Sequence, residues 1–536
     1  MDATMMHMPM TVQMILAHGQ QVFPESRVST FDGQDVHHTS YRTIADNAGR
    51  LASALVDIGV KPGDRVATFS WNNTAHMEAY LAIPSMGAIM HTVNIRLSPE
   101  HIAYVINHAA DKVVLLDVSL ATVFEPVLPL LETVRHIILV GGAEAVPGFE
   151  CHDYDELLSS HAPLEQWPQL EETSAAAVCY TSGTTGYPKG VVYSHRTTFV
   201  HSLASRAVDT FGICERDRIL LLPAMFHANA WGLPYSGWFS GSDFILPGPH
   251  LQPAGIRSMI ASERPTITAT VPTILGDLLH LDSEALDMSC FRMLVCGGSA
   301  VAPAMIDAAR ERWGVPVLQG WGMTETSPLC ALSHPPRDPG DGGETPWRAK
   351  SGRPVAGVQV RVVDEAGHKL PEDGHSVGEL QLRGPWITGA YYRDESPESI
   401  SEDGWLRTGD VGHIDDRHFV QLTDRTKDVI KSGGEWISSV DLENILLGHP
   451  GVREVAVIAT ADQRWQERPL AIVVPEQSAV PAAELREFLK GKVARFWLPE
   501  YWCFLQEIPK TSVGKLDKRR LRDLNEAGEF DVEVLR

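Results

Sequence analysis

Between residues 41 and about 140 the chain alternates between stretches of helical spacing and short apolar runs, and this constrains its fold more than any other feature. Residues 41–55, 77–83 and 100–107, the last behind a cap at Ser98, have helical periodicity. Residues 65–69 and 112–116 read as strands. Alternation of this kind builds a parallel α/β layer. No repeat of fixed period and no low-complexity tract interrupts it.

Further strands are expected at 218–222, 266–271, 293–296 and 315–319. They run into segments rich in Gly, Ser, Thr or His: His227 after Phe226, Gly298-Ser299-Ala300, and Gly320-Trp321-Gly322-Met323-Thr324-Glu325. In open α/β sheets ligands sit outside the carboxyl ends of the strands, so the clustering points to one site. Beyond a Pro/Gly/Asp-rich surface loop at 335–348 the period changes to two. Residues 358–363 and 378–383 predict antiparallel strands of a β-rich subdomain, with turns at 365–367 and 372–374. A helix at 440–447 capped by Ser438 or Ser439, strands at 455–458 and 470–474, and a helix at 482–493 complete a compact α+β unit. With 536 residues, more than one core usually supports, the expectation is an α/β large domain over 1–424, a joint at 425–427 and a small α+β domain over 428–536.

The stretch at 180–192 joins two expected strands through three glycines, four hydroxyls and a lysine. Gly183, Gly186 and Gly190 allow backbone N–H groups to converge on an anion. Thr181, Ser182, Thr184 and Thr185 add donors, and Lys189 adds a charge. A Walker A loop would place Gly-Lys-Ser/Thr at the start of a helix; here Lys189 follows Pro188 and a strand follows Gly190. The stretch reads as a phosphate cradle of another kind.

Composition excludes some partners. Sixty-eight acidic against forty-five basic side chains give a net charge of −23, which disfavours nucleic acid or an anionic membrane as the main partner. Seven scattered cysteines, with no CxxC pair, fit a reducing compartment, hence the cytoplasm, and no structural zinc. No apolar run approaches the length of a spanning helix, and the Met-rich N-terminus lacks the features of a signal peptide. Peripheral membrane contact and a homodimer stay open.

Together the motifs resemble those of the adenylate-forming enzymes: acyl-CoA synthetases, peptide-synthetase adenylation domains and luciferases. The resemblance covers nearly the whole chain through five ordered signatures, at 181–190, 320–325, 404–410, 424–434 and 509–515. It implies two half-reactions. A carboxylic acid attacks the α-phosphate of ATP, giving acyl-AMP and pyrophosphate, and the thiol of coenzyme A then displaces AMP. The first step crowds negative charge and needs cations arranged around it.

By the same resemblance, the loop from Thr181 through Ser182, Gly183, Thr184, Thr185 and Gly186 to Lys189 holds the β,γ-phosphates. Thr324 donates to the α-phosphate, and Glu325 supplies an oxygen ligand to Mg²⁺. Trp321 stacks on adenine between Gly320 and Gly322, with Gly298, Ser299 and Ala300 along its other face. Asp410 takes the ribose hydroxyls, with Arg425 nearby. Lys515 bridges carboxylate and α-phosphate, and one ammonium about 4 Å from an anion contributes roughly 4 kcal/mol at an effective dielectric near 20. Gly434 leaves room for the thiol arm of coenzyme A once the small domain, taken to be mobile, has rotated about Lys427.

Single residues also have ordinary readings. Trp321 alone would be a core side chain, Asp410 a turn residue, His227 a satisfied buried histidine, and Lys427 a surface lysine. In the resemblance His227 and Trp231 line the acyl site, and Gly322, where acetate-specific relatives carry tryptophan, lets the acyl tunnel extend. The pattern looks most like medium-chain fatty-acid–CoA ligases and relatives acting on short thioether acids. A luciferase-like oxygenase, an adenylation unit loading a separate carrier protein, and a nucleotide-binding protein without catalysis are the rival readings.

Overall fold

The structure, a computed structural model, describes residues 3–142, 146–181, 187–281, 286–425, 428–432, 435–462, 464–476, 480–511 and 515–535. Among these residues the chain forms four sheets. In the first, the order runs Glu150–Asp153, His136–Val140, Asp111–Asp117, Arg65–Phe69, Ile89–Thr92, Ala175–Tyr180, Gly190–Ser194. All neighbours are parallel except the last two, whose antiparallel register pairs Tyr180 with Gly190. The phosphate-cradle stretch therefore does connect two strands.

Three of the helices that return the chain, Tyr41–Asp57, Thr74–Ser85 and Pro99–Ala109, stand where the sequence predicts them, and Ala121–Phe124 and Tyr154–Ser160 add to these. Tyr41–Asp57 buries Tyr41, Ile44, Ala48, Leu51 and Leu55 along one stripe, and the Ser40 side chain caps it by accepting from the Thr43 N–H. Burying a Leu or Ile of this kind contributes about 1.5–3 kcal/mol. Pro99–Ala109 starts at the expected Ser98 cap. A second sheet of nine strands is parallel through its middle, from Val317–Gly322 by way of Met293–Gly297, Ile267–Thr270, Arg218–Leu220 and Asp243–Leu246 to Arg27–Phe31. Its outermost pairs are antiparallel.

A four-stranded antiparallel sheet, Gln359–Val363, Gly378–Arg383, Leu406–Ile414 and Val420–Arg425, forms the expected β-rich part. One buried cluster joins it to both large sheets, running from Ile44 through Tyr80, Cys179, Trp238 and Leu318 to Leu380. The six strands beyond residue 429 instead surround clusters of their own, one of Ile430, Leu442, Val457 and Trp502, the other of Ala456, Ile472 and Leu521.

Two elements differ from expectation. Arg27–Phe31 and Val36–Ser40 pair as a hairpin and enter the nine-stranded sheet beside Asp243–Leu246. The second of these strands is Val-His-His-Thr-Ser, too polar to give an apolar period, and it pairs with the first, whose own place depends on Asp243–Leu246 far along the chain. The helix from Ala482 stops at Leu489 rather than continuing to 493, because Lys490 turns extended and Gly491 takes φ +76°.

Candidate active site

The carboxyl ends of the parallel strands open into a cavity of about 620 Å³. Thr181, Lys189, His227, Trp231, Gly298, Gly320, Trp321, Gly322, Thr324, Glu325, Arg425 and Lys515 all line it. A second space of about 800 Å³ shares Gly298, Trp321, Arg425 and Lys515, adds Ser299, Ala300 and Asp410, and continues between the large domain and the small one. Ser182, Gly183, Thr184, Thr185, Gly186, Lys427 and Gly434 lie outside the described residues.

The stem of the loop is fixed by its strands. The Thr181 N–H donates to the Lys189 carbonyl at 2.9 Å, and the Lys189 N–H returns to Thr181 Oγ1 at 3.0 Å. These bonds continue the strand pair by one step and aim Lys189 at the cavity. Its Nζ lies 5.1 Å from the ring centre of Tyr391. The Tyr391 hydroxyl in turn donates to Glu325 Oε1 at 2.5 Å. Tyr391 thus touches both the loop cation and the buried carboxylate, and the sequence reading missed it. An aromatic pair at 391–392, following a Gly-Ala step, was the only available signal.

Glu325 stands in the short turn Thr324–Thr326 and is 6% exposed. Burial raises its pKa, and the Tyr391 bond opposes that rise. Tyr193 holds the same turn from below, its hydroxyl donating to the Thr324 carbonyl at 2.6 Å. Asp410 is equally buried. The Trp321 indole N–H donates to Asp410 Oδ2 at 2.9 Å, and Arg425 Nε lies 3.4 Å from Oδ1. Asp410 and Arg425 face each other in antiparallel register, which explains how residues fifteen apart meet.

His227 follows the strand Arg218–Leu220 and its loop. Burial, with Lys515 and then Arg96 adding repulsion, pushes its imidazolium down to about 3, so the ring is neutral at physiological pH. After it, Ala228, Asn229, Ala230 and Trp231 all take positive φ, between 44° and 60°, before Gly232 at 72°. A left-handed turn of non-glycine residues costs roughly 1–2 kcal/mol per residue. It is held by Asn229, whose Oδ1 accepts from Tyr80, Thr92 and Cys179. The turn brings the Trp231 ring onto Gly297, where a Cβ would stand 3.0 Å from it. Nothing local in the sequence signals this handedness.

Lys515 reaches in from the small domain. A Cβ at Gly298 would lie 3.1 Å from its Cε and 3.8 Å from its Nζ. Burial, and then the charge of Arg425, lower its pKa to about 8, against the opposing pull of Asp410 and Glu325. Gly322 lines the cavity, but its lack of a side chain has a reason beyond tunnel length: a Cβ there would stand 2.1 Å from the Pro328 carbonyl oxygen. Packing of Val317–Gly322 on Leu329–Leu332, which shifts register between Trp321 and Gly322, demands glycine at this point.

Comparison with known proteins agrees with this geometry. The profile of the AMP-binding enzyme family matches residues 16–392, and that of the AMP-binding enzyme C-terminal domain matches 441–515. A long-chain-fatty-acid–CoA ligase of Thermus thermophilus is 46% identical over 92% of both chains. A 3-methylmercaptopropionyl-CoA ligase of Ruegeria pomeroyi is 40% identical over 97% of this chain and 98% of that one. A medium-chain-fatty-acid–CoA ligase of Ectopseudomonas oleovorans is 40% identical over 92% of both. Among solved structures, the anthranilate CoA ligase AuaEII in complex with anthranoyl-AMP shares the fold, with a TM-score of 0.88 at 24% identity over 99% of this chain and 100% of that one.

Proposed function

The chain belongs to the AMP-binding, adenylate-forming enzymes and is an ATP-dependent acyl-CoA synthetase; on that premise we propose that its acid is a medium-chain fatty acid and that Lys515 organises the first half-reaction. The acid carboxylate attacks the α-phosphorus of ATP, the bond to the bridging oxygen breaks, and pyrophosphate leaves. The thiol of coenzyme A then attacks the acyl carbon and AMP leaves with the C–O electron pair.

The observation that carries the role of Lys515 is its position against Gly298, on a cavity shared with Thr324, Glu325 and His227. An ammonium there faces the acid carboxylate and the α-phosphate together and offsets their repulsion. Lys189, on the rigid stem of its loop, holds the leaving pyrophosphate. Thr324 donates to the α-phosphate. Asp410 takes the ribose, with Arg425 and Trp321 fixing the orientation of its carboxylate. Trp321, with Gly298, Ser299 and Ala300 opposite, encloses adenine. His227 remains a neutral hydrogen-bonding group that positions the acid.

The donor set also fits Mg²⁺. Glu325 is a hard oxygen ligand on the cavity wall, in a turn braced by Tyr193 and Tyr391. When bound, Mg²⁺ neutralises phosphate charge.

Residues 1–424 and 428–536 act as two bodies about a joint at 425–427, supported by their separate apolar clusters. The arrangement with Lys515 inside the cavity is the one for adenylation. Rotation about Lys427 brings Gly434 and the thiol arm to the same acyl-AMP. The described residues include no helix long and apolar enough to cross a membrane, and the free cysteines support action in a reducing compartment such as the cytoplasm.

The cavity wall offers the acyl chain the apolar side chains of Phe211, Leu222, Leu251, Val271, Ile274 and Leu329, with Thr270 and Thr273 among them. One methylene contributes about 1–3 kcal/mol to discrimination. Pyrophosphate release measured across C2 to C18 acids and 3-(methylthio)propionate, with and without coenzyme A, tests the reading. Highest kcat/KM is expected between C6 and C12; a maximum at acetate, or none for any aliphatic acid, contradicts it.

A further inference from the structure

At the free edge of the seven-stranded sheet, three ligand atoms converge outside the active site. His136 opens the strand His136–Val140, and its register partner on the outermost strand is Glu150. His152 follows two residues later, so by the period of a strand it lies on the same face as Glu150. His136 Nδ1 stands 3.2 Å from His152 Nε2 and 3.5 Å from Glu150 Oε2. All three ligand atoms lie within 4.8 Å of one another.

Two imidazole nitrogens that face each other hold one proton between them or share a cation. A tetrahedral ion with bonds of 2.0–2.1 Å needs neighbouring ligand atoms about 3.3 Å apart, and the two separations bracket that length. We propose that His136, Glu150 and His152 form a binding site for a borderline divalent metal ion, Zn²⁺ foremost, that clasps the outermost strand to its neighbour. His136 supplies Nδ1, His152 Nε2 and Glu150 one carboxylate oxygen.

The surroundings favour such a site. His136 is 17% exposed and Glu150 76% exposed, so the ring is held by packing while the carboxylate is free to adjust its bond length and the remaining position opens to water. Cys151 points to the opposite face, where its thiol bonds the Val146 and Phe149 carbonyls, and takes no part. Directly after the strand, Asp153 caps the helix Tyr154–Ser160 by accepting from the Glu156 N–H at 2.8 Å, which anchors the far end of the short strand. Two imidazoles and one carboxylate select Zn²⁺, Ni²⁺ or Cu²⁺ over Mg²⁺, which prefers oxygen ligands in an octahedron.

The site is distinct from the catalytic one. The cradle loop joins the last two strands at the other edge, about five strand spacings or roughly 24 Å away. Zinc bound to the folded chain and not to the unfolded one raises its stability by mass action.

The test uses the full-length enzyme, stripped with chelator and returned to millimolar Mg²⁺. Zn²⁺ alone is titrated calorimetrically, and Co²⁺ is titrated as an optical probe of tetrahedral ligation. One Zn²⁺ per chain is expected, with a rise in Tm and a cobalt visible spectrum free of thiolate charge transfer. His136→Ala and His152→Ala should each weaken binding at least 100-fold, and Glu150→Gln about tenfold, while pyrophosphate release stays at the parent rate and reports an intact fold. If Glu150→Gln and His152→Ala fold normally and leave Zn²⁺ binding unchanged, or if the parent binds no Zn²⁺ under excess Mg²⁺, the pair is a histidine–histidine hydrogen bond and the proposal is wrong.

Discussion

Glycine at 298 suits its φ of +87°, and a Cβ there would press on the Lys515 Cε at 3.1 Å. Gly298→Ala is therefore expected to displace Lys515 and lower the rate of acyl-AMP formation at least tenfold, while supplied acyl-AMP still yields thioester; pre-steady-state assay of each half-reaction measures both. Lys515 also sets a pH dependence. Its ammonium is the working form and its pKa is lowered to about 8, so the charge is present below pH 8 and lost above it. The kcat/KM for pyrophosphate release should fall as pH rises through about 8, approaching tenfold per unit, whereas kcat should hold to higher pH because bound triphosphate favours the charged form. A flat kcat/KM profile from pH 7 to 10 contradicts this. At this scale the sequence pointed to Lys189, Glu325, Asp410 and Lys515 as parts of one site, and all four line two adjoining cavities. It was silent on Tyr391 and on the left-handed turn after His227, since one is recruited across sixty-six residues of chain and the other is imposed by Tyr80, Thr92 and Cys179. Gly322 was noticed for tunnel length, but the Pro328 carbonyl was invisible without the strand pairing.

The helix Thr74–Ser85 shows what elements of this kind tolerate. It is buried along its whole surface, including Glu78 at 2% exposure, which accepts from Asn47 Nδ2 at 2.7 Å and from the Tyr154 hydroxyl. Burial pushes the Glu78 carboxyl up to about 7 from an ordinary 4.5. A raised folded-state pKa means that its contribution to stability is full below about pH 4.5 and is lost as pH rises through 7. The shift corresponds to about 3 kcal/mol across that window. Thermal melts from pH 4.5 to 8 should show the parent losing stability relative to Glu78→Gln, whose profile is flatter; parallel profiles would remove Glu78 as the cause. Helices and parallel strands were legible where apolar periodicity is local, as was the Ser98 cap, whereas the stop at Gly491 was overlooked although glycine there was a local signal. The hairpin Arg27–Ser40 was not legible, because its first strand is ordered by pairing with Asp243–Leu246, a contact the local pattern does not encode.

At the scale of the whole molecule, a small domain with its own core delivers one lysine into the cavity of a large one. Among the described residues, contacts cross from one to the other next to the joint, where Asp424 accepts from the Ser439 N–H and hydroxyl, and also farther from it. Lys515 packs on Gly298, and Glu476 lies 3.3 Å from His280. In the proposed reading this interface is left and regained between the two half-reactions. A large domain and a smaller C-terminal one were readable as a change of period and a second compact unit. The most direct measurement is a single-turnover comparison of Lys515→Ala with the parent in both half-reactions. Pyrophosphate release from ATP and a C8 acid should fall by at least 100-fold, and conversion of supplied octanoyl-AMP and coenzyme A to octanoyl-CoA should stay within a few-fold of the parent. Equal losses in both steps, or unchanged pyrophosphate release, would contradict the role assigned to Lys515.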